Sequence, residues 1–218
     1  MRYERHLAIR NSSDILVENI TIRGARCPQP PCPGDSDPAF NERQHAFEIA
    51  ASDRVELRGV VGVDVWGDGV YVTAKPFDGS PERLPKDIVV RDAYFANTGR
   101  QGIAASGVDG LLVERTVLRE VGYSAFDFEA ESGGAGRFVA RDNTVVRPRN
   151  GILNVTCDRA ANGSFLNRGP FVLTDNKVYG ETLAVNPLGC AMPTGLVILK
   201  DNLDSLPIEE APDPPCRL

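Results

Sequence analysis

The chain has 218 residues, of which 42% are hydrophobic and 25% charged, which suits one domain of ordinary composition. Its formal net charge is −6, and so acidic a chain lacks the basic surface that binding to nucleic acid requires. No apolar run approaches the roughly 20 residues of a membrane span, and the first six residues have no apolar stretch of the signal-peptide type. These features argue against nucleic-acid and membrane partners.

A short pattern recurs along the chain: a small residue, an apolar residue, a free position and usually a second apolar residue. Its small residues are Ala46, Gly69, Gly102, Ala125 and Gly151, at spacings of 23, 33, 23 and 26. A repeat near this length with apolar alternation indicates stacked coils, each of which buries its apolar face only against its neighbours. The small residue is expected at a tight bend into the strand, where little room is left for a side chain.

A second strand pattern occurs seven times, which predicts seven coils. Stacked strands place equivalent side chains next to each other, so two apolar columns are expected to face the interior. The first column is Ile15, Val55, Ile88, Leu111, Phe138, Phe171 and Val197, and the second is Val17, Leu57, Val90, Val113, Ala140, Leu173 and Leu199. At the end of this strand, Asn143, Asn176 and Asn202 predict a ladder of side-chain amide bonds at a coil corner.

Four segments rich in Pro, Gly or polar residues interrupt the repeat, and we expect them to be loops on a single domain that spans 1–218. They are 27–43, 75–86, 157–169 and 181–193. Loops that leave a rigid stack often carry binding residues. The acidic, Pro-rich tail 208–218 is expected to be frayed.

The first coil matches a later one loosely: 6–14 has the same length as 45–53, although its apolar alternation falls one residue earlier. No turns precede its first strand. We expect either that further coils precede it in the full-length protein or that the start codon was placed late. An uncovered coil of this kind offers a site for self-association by strand addition.

The five cysteines, Cys27, Cys32, Cys157, Cys190 and Cys216, lack the doubled C-x-x-C spacing of a zinc site. Two interpretations stay open: disulfides, which indicate export, or reduced and partly buried thiols. The odd count leaves at least one cysteine unpaired within the monomer.

The repeat, from Leu7 to about Asp204, resembles the right-handed parallel β-helix of the pectin-lyase-like superfamily. The phrases that carry the finer resemblance, to bacterial β-helix proteins known only by fold, are 44–47, 66–71, 99–103 and 127–129. The resemblance implies an all-β, single-stranded solenoid, secreted or on the cell surface in the full-length protein. This fold hosts lyases, hydrolases, epimerases and non-catalytic spikes. The paired-Asp and Gly-His-Gly set of polygalacturonases and the Trp-Ile-Asp-His phrase of pectate lyases are not in the sequence.

The resemblance places a substrate groove on the outward face of the first strand column. Side chains alternate along a strand, so with Phe47, Val70 and Phe126 inward the next residues point outward. The candidate catalytic residues are His45, Asp68, Arg100, Asp127 and Glu129. The candidate substrate-binding residues are Glu48, Tyr71, Gln101, Tyr123, Arg149 and Asn150.

Each candidate has a structural alternative. Asp127 and Glu129, two apart on one face, are an acid and base pair, a solvated acidic ladder, or a structural pair with Arg100 or Arg149. Asp68 either binds a cation or protonates a leaving group, or it caps its own turn. Arg100 either neutralises a substrate carboxylate (or, as the resemblance to lyases implies, takes a proton) or pairs with Asp68 or Asp127. His45 is either an acid or base or an incidental surface histidine.

The sequence therefore predicts a carbohydrate-active protein, a polysaccharide lyase or glycoside hydrolase, whose partner is a polysaccharide or oligosaccharide. No cofactor is certain; Ca²⁺ held by Asp68, Asp127 and Glu129 would reconcile the net charge with an acidic sugar. The alternative is a non-catalytic glycan-binding or structural module, or a fragment of a larger protein.

Overall fold

The computed structural model describes residues 6–27, 32, 44–76, 78–131, 133–156, 158–159, 162, 166–181, 184–188 and 195–211. Three seven-stranded sheets wind around one apolar interior, and every strand pairs in parallel with the equivalent strand of the next coil. The chain is a parallel β-helix of seven coils, as the repeat and the resemblance predict.

Each coil contributes one strand to each sheet. The first sheet contains β1 Leu7–Arg10, β4 Phe47–Ala50, β7 Val70–Thr73, β10 Ile103–Ala105, β13 Phe126–Phe128, β16 Leu153–Thr156 and β19 Val185–Leu188. The second contains β2 Ser13–Glu18, β5 Asp53–Arg58, β8 Lys86–Arg91, β11 Gly107–Glu114, β14 Gly134–Arg141, β17 Gly169–Thr174 and β20 Val197–Lys200. The third contains β3 Thr21–Arg23, β6 Val61–Val63, β9 Tyr94–Ala96, β12 Val117–Arg119, β15 Thr144–Val146, β18 Lys177–Tyr179 and β21 Leu203–Leu206. A short 3₁₀ helix, Ile208–Glu210, follows.

The two apolar columns predicted for the second sheet pair in register and are buried through the central coils, but in the last coil Leu199, predicted to face the interior, is 45% exposed. Leu111 lies opposite Phe138, which lies opposite Phe171, and all three are buried. Phe128 of the first sheet packs against both aromatic rings, with centroid distances of 4.6 Å to Phe138 and 4.8 Å to Phe171. Burying one such side chain contributes about 2–3 kcal/mol, so these columns are the main source of cohesion between coils.

Neighbouring coils approach closely at the bends before the first-sheet strands. A Cβ on Gly69 would lie 2.6 Å from the carbonyl oxygen of Gly102, and one on Gly102 would lie 2.7 Å from that of Ala125. A real Cβ does not approach backbone oxygen so closely. The expected lack of room at the small residues is therefore confirmed at these two positions.

The predicted asparagine ladder is present. Asn143 Nδ2 donates to Asn176 Oδ1 at 2.9 Å, and Asn176 Nδ2 donates to Asn202 Oδ1 at 2.8 Å. Asn143 and Asn176 are buried, and each amide also donates to a backbone carbonyl of the preceding coil. The ladder satisfies polar groups that the stack would otherwise bury unpaired.

Two expectations are corrected. Leu7 pairs with Phe47 and Ser13 with Asp53, so the first coil is offset by 40 residues from the second instead of the 39 that the matched ends suggested. The register follows the apolar alternation, because a slip of one residue would turn every interior side chain outward. The segment 181–193, expected to be a loop, contains β19, which is the end strand of its sheet and so tolerates Pro187.

The structure describes only part of the other irregular segments. Residues 75–85 contain no strand among those described, consistent with the predicted loop 75–86. Most of 27–43 and 157–169, the tail beyond residue 211, and Cys157, Cys190 and Cys216 lie outside the described residues. Cys27 and Cys32 form a disulfide, which supports the first of the two interpretations for this pair.

Candidate functional site

The first sheet and the bends that lead into it bring most of the predicted site residues together. One row across the sheet runs Glu48, Tyr71, Ala104, Asp127 and Asn154, each opposite the next. His45, Asp68 and Gln101 belong to the bends just before β4, β7 and β10. The strand alternation and the parallel register place these polar groups on the same side of the sheet.

Gln101 joins the two aspartates of this cluster. Its backbone N–H donates to Asp68 Oδ1 at 2.9 Å, and its side-chain Nε2 donates to Asp127 Oδ2 at 2.9 Å. Its Oε1 accepts a 2.9 Å hydrogen bond from the backbone N–H of Ser124, which fixes the orientation of the amide. The relative exposure of Asp68 is 0% and that of Asp127 is 2%. Two carboxylates are thus buried and held at a fixed separation by one residue.

His45 lies against Asp68. Its Nδ1 is 3.0 Å from Asp68 Oδ2 and 3.1 Å from the backbone nitrogen of Asp68. The N–H requires a lone pair on Nδ1, whereas the carboxylate requires a proton there, so a single ring nitrogen cannot satisfy both groups. The imidazole also stacks on Tyr71, with ring centroids 4.7 Å apart, and the Tyr71 hydroxyl donates to Ser106 Oγ at 3.0 Å.

The two aspartates have opposite electrostatic environments. Burial, and then repulsion from Glu129 and Asp68, raises the pKa of Asp127 to about 7, although Arg100 and Asn154 oppose the shift. For Asp68, burial acts to raise the pKa, but the combined effect of His45, Arg100 and the Gln101 N–H outweighs it, and the pKa is lowered. Near neutral pH one carboxyl group is therefore partly protonated while the other is ionised.

Arg100 lies between carboxylates at the edge of the cluster. Its Nε is 3.8 Å from Asp68 Oδ1, and one terminal nitrogen is 3.7 Å from Glu129 Oε1. The side chains of Arg100 and Glu129 are 20% and 30% exposed. The guanidinium takes the position between acidic groups that a cation would need. Within the described part of the chain, no group of three or more His, Cys, Asp or Glu side chains is placed to hold a metal ion, and we derive no role for Ca²⁺.

Exposure divides the candidate residues into two groups. Five are buried, and the expectation that they line an open groove is wrong: His45, Glu48, Asp68, Gln101 and Asp127. Tyr71, Arg100 and Glu129 are partly exposed, whereas Tyr123, Arg149 and Asn150 are at the surface. Alternation along a strand determines which side of the sheet a residue faces, but it does not reveal whether another part of the chain covers that side.

Glu48 shows what this burial means. Its side chain is 0% exposed, and Arg10 Nε donates to its Oε1 at 2.9 Å. It therefore contacts the first coil, and it is not displayed toward solvent as a substrate-binding residue would be. The prediction that Glu48 contacts substrate is not supported by this position.

A pocket at the bends that follow the third sheet was not predicted from the sequence. Its volume is about 300 Å³, and it is lined by Arg26, Glu120, Val121, Gly122, Arg147 and Arg149. Only Arg149 was a candidate. Most of the other lining residues lie just after β12 and β15 of the third sheet, which are three residues long and too short to show a periodicity.

Comparison with known proteins finds distant structural similarity only. No protein-family model matches the sequence, and no curated protein matches it. The solved structures with similar folds include PfbA, a surface adhesin of Streptococcus pneumoniae, with 11% identity and a TM-score of 0.45 over 92% of this chain and 62% of that one. They also include the GH136 lacto-N-biosidase from Eubacterium ramulus, with 10% identity and a TM-score of 0.34 over 93% of this chain and 51% of that one. This chain thus spans less than two thirds of either protein.

One further observation concerns membranes. The 3₁₀ turn Ile208–Glu210 is the single helical element among the residues described, and it is far too short to cross a bilayer.

Proposed function

We propose that this protein is a carbohydrate-active enzyme of the glycoside hydrolase type, with Asp127 as the general acid and Asp68 as the ionised partner. The observation that carries the proposal is that Gln101 holds two buried carboxyl groups whose pKa values are shifted in opposite directions. Such a divergence between neighbouring carboxyl groups is the usual means by which one fold provides both an acid and a base.

The chemistry follows from these protonation states. With a pKa of about 7, Asp127 retains its proton in about half of the molecules at neutral pH and can donate it to the glycosidic oxygen as the C–O bond breaks. Asp68, as the carboxylate, accepts a proton from the water that attacks the anomeric carbon. The residues belong to coils two steps apart, about 10 Å along the stack, which is close to the ~6.5–9.5 Å of inverting glycosidases. We therefore expect inversion at the anomeric carbon.

Because Asp127 is buried, a sugar can reach it only if neighbouring side chains move. The ion pair between Arg100 and Glu129 lies at the edge of the cluster, is partly exposed and is 3.7 Å long. A sugar that displaces it would reach the buried carboxyl groups. Tyr123, which is 41% exposed, would then offer an aromatic face to a neighbouring sugar ring, beside Asn150 and Arg149.

A hydrolase is favoured over a lyase by the position of Arg100. In a lyase this side chain would have to act as a neutral base beside the uronate carboxylate. Here its guanidinium lies within 4 Å of both Asp68 and Glu129, which stabilise its positive charge. The disulfide between Cys27 and Cys32 supports the proposal that the full-length protein works outside the cytoplasm, since such bonds persist in oxidising compartments.

The test is an assay of hydrolysis on a panel of neutral and acidic polysaccharides, in which the release of reducing ends is measured. We expect Asp127→Asn and Asp68→Asn each to lower the rate at least a hundredfold, because each removes one proton-transfer step. Asp14→Asn, at an exposed aspartate that pairs with Arg54, is the matched control and should retain full activity. Unchanged cleavage by both cluster variants would refute the assignment. The anomer released, followed by NMR, tests inversion separately.

A second candidate function is glycan binding without catalysis. It is favoured by the burial of His45, Asp68 and Asp127 and by their hydrogen bonds to one another and to Gln101, which are equally consistent with a structural network. Binding on a glycan array with no turnover of the bound sugars would support this function. Turnover of any glycan would exclude it.

A further inference from the structure

The pocket at the bends that follow the third sheet carries an excess of positive charge. Three of its six lining residues are arginines, Arg26, Arg147 and Arg149, and one is a glutamate, Glu120. The pocket is thus formally +2 in a chain of net charge −6. Its volume of about 300 Å³ lies at the lower end of the range for small-molecule sites.

The three arginines are held in different ways. Arg26 is buried, with a relative exposure of 4%. Its guanidinium donates to the Asn97 side chain, which in turn donates to Asp64 Oδ1 at 2.8 Å. Arg147 pairs with Glu120 at the pocket wall. Arg149 is exposed, and its guanidinium makes no hydrogen bond or ion pair with any residue that the structure describes. One fixed, one paired and one available cation therefore line the same cavity.

We propose that this pocket binds a small oxyanion-bearing ligand, a carboxylate or a sulfate ester, with the Arg149 guanidinium as its main contact. Arginine presents a planar fork of N–H donors that matches such groups in a bidentate manner. Arg26 contributes charge from a position fixed by Asn97, so it need not be ordered when the ligand binds. Val121 supplies an apolar part of the wall.

None of the pocket's lining residues belongs to the aspartate cluster, and Arg149 is the one lining residue that the proposed hydrolase also places beside its sugar. The proposal therefore goes beyond hydrolysis and does not require it. Tyr123 directly follows the lining residue Gly122 and is 41% exposed, so a ligand with a sugar ring attached to the anion would find an aromatic surface beside the pocket. A local basic pocket of this kind allows an acidic chain to take a negatively charged ligand.

The experiment is calorimetric titration of the intact chain with sodium sulfate, with glucuronate and with glucose at 20–50 mM ionic strength, where charge interactions are strongest. We expect sulfate and glucuronate to bind and glucose not to bind. Arg149→Gln should weaken binding of both anions about tenfold, the loss expected for one charge-assisted contact. Glu120→Gln should tighten it by about threefold to tenfold, because the change removes a like charge and frees Arg147.

The matched control is Arg168→Gln, which removes the same charge from an exposed arginine outside the pocket and should leave both affinities unchanged. Equal effects of Arg149→Gln and Arg168→Gln would show that only the overall charge matters and would overturn the proposal. So would binding of glucose as tight as that of glucuronate. Tighter binding of sulfate than of glucuronate selects the sulfate ester, and the reverse selects the carboxylate; either supports the site. Failure of the hydrolase proposal leaves these equilibrium results unaffected.

Discussion

The side-chain amide of Gln101 donates a 2.9 Å hydrogen bond to Oδ2 of Asp127, and both residues are buried. Asp127 Oδ1, by contrast, accepts no hydrogen bond of good geometry from the described residues. The Gln101 amide is thus the main geometric support for this carboxyl group. Because the same amide accepts from the Ser124 N–H, its orientation cannot invert without leaving that donor unpaired.

Gln101→Glu tests this contact by exchanging the amide for an isosteric carboxylate. At pH 8 two buried carboxylates would face each other, and we expect a loss of about 2–4 kcal/mol of unfolding free energy. At pH 5 Asp127 is protonated and can donate to the new carboxylate, so the loss should be smaller. Urea unfolding at both pH values measures the difference. Asn11→Asp, which adds the same charge at an exposed position, should show no such pH dependence.

Asp127→Asn should change the pH dependence of stability. The pKa of about 7 in the folded chain exceeds the ~3.9 of the unfolded chain, so the folded state binds more protons between these values. Wild-type stability that depends on this group is therefore complete below pH ~4 and is lost as the pH rises toward 7. The shift of about three units corresponds to a loss on the order of 4 kcal/mol.

In the Asp127→Asn variant the side chain at position 127 does not titrate. The variant should therefore gain stability relative to the wild type between pH 4.5 and 8. Urea denaturation curves across that interval provide the measurement. If the stabilities of the two proteins run parallel with pH, Asp127 titrates normally, and its assignment as a general acid fails with it.

Asp68→Asn should have the opposite dependence. The pKa of Asp68 is lowered, so its contribution to stability is present above the unfolded value of ~3.9 and is lost as the pH falls through the lower, folded value. At pH 7 the variant leaves His45 and Arg100 without their buried anion, and we expect a loss of about 3 kcal/mol. Thermal unfolding at pH 7 and at pH 3 should show a smaller loss at the lower pH.

Asp92→Asn serves as the control for that variant. Asp92 pairs with Arg115 at 2.7 Å, but its side chain is 44% exposed. An exposed pair of this kind contributes at most about 1 kcal/mol. A loss at Asp92 as large as that at Asp68 would mean that burial of the His45–Asp68 pair has no energetic consequence.

Much of the architecture could be predicted because the apolar columns repeat in register. Positions such as Leu111 and Phe138 form a column in the sequence and pair in the structure. The third sheet could not be predicted in this way: strands such as Thr21–Arg23 and Val117–Arg119 are too short to show an alternation. The pocket lined by Arg147 and Arg149 was missed for the same reason.

The candidate site could be predicted only for residues that lie on strands. Asp127 and Tyr71 lie in the row that alternation places on one face. The contact between Gln101 and Asp68 joins two bends, where the backbone turns and the alternation is interrupted, so no periodic pattern points to it. The burial of Asp127 and His45 depends on what covers that face of the sheet, which a pattern within one strand does not reveal.

Asn176→Ala tests the asparagine ladder, in which position along the stack should determine the cost. Asn176 accepts from the backbone N–H and side chain of Asn143, and it donates to the Ala140 carbonyl and to Asn202. Its truncation leaves several of these groups buried and unpaired, for an expected loss of about 3–5 kcal/mol. Asn202 lies at the end of the ladder and is only partly buried, so Asn202→Ala should cost about 1–2 kcal/mol. Equilibrium urea unfolding of the two variants gives the comparison, and equal costs would contradict a ladder whose strength comes from burial between neighbouring coils.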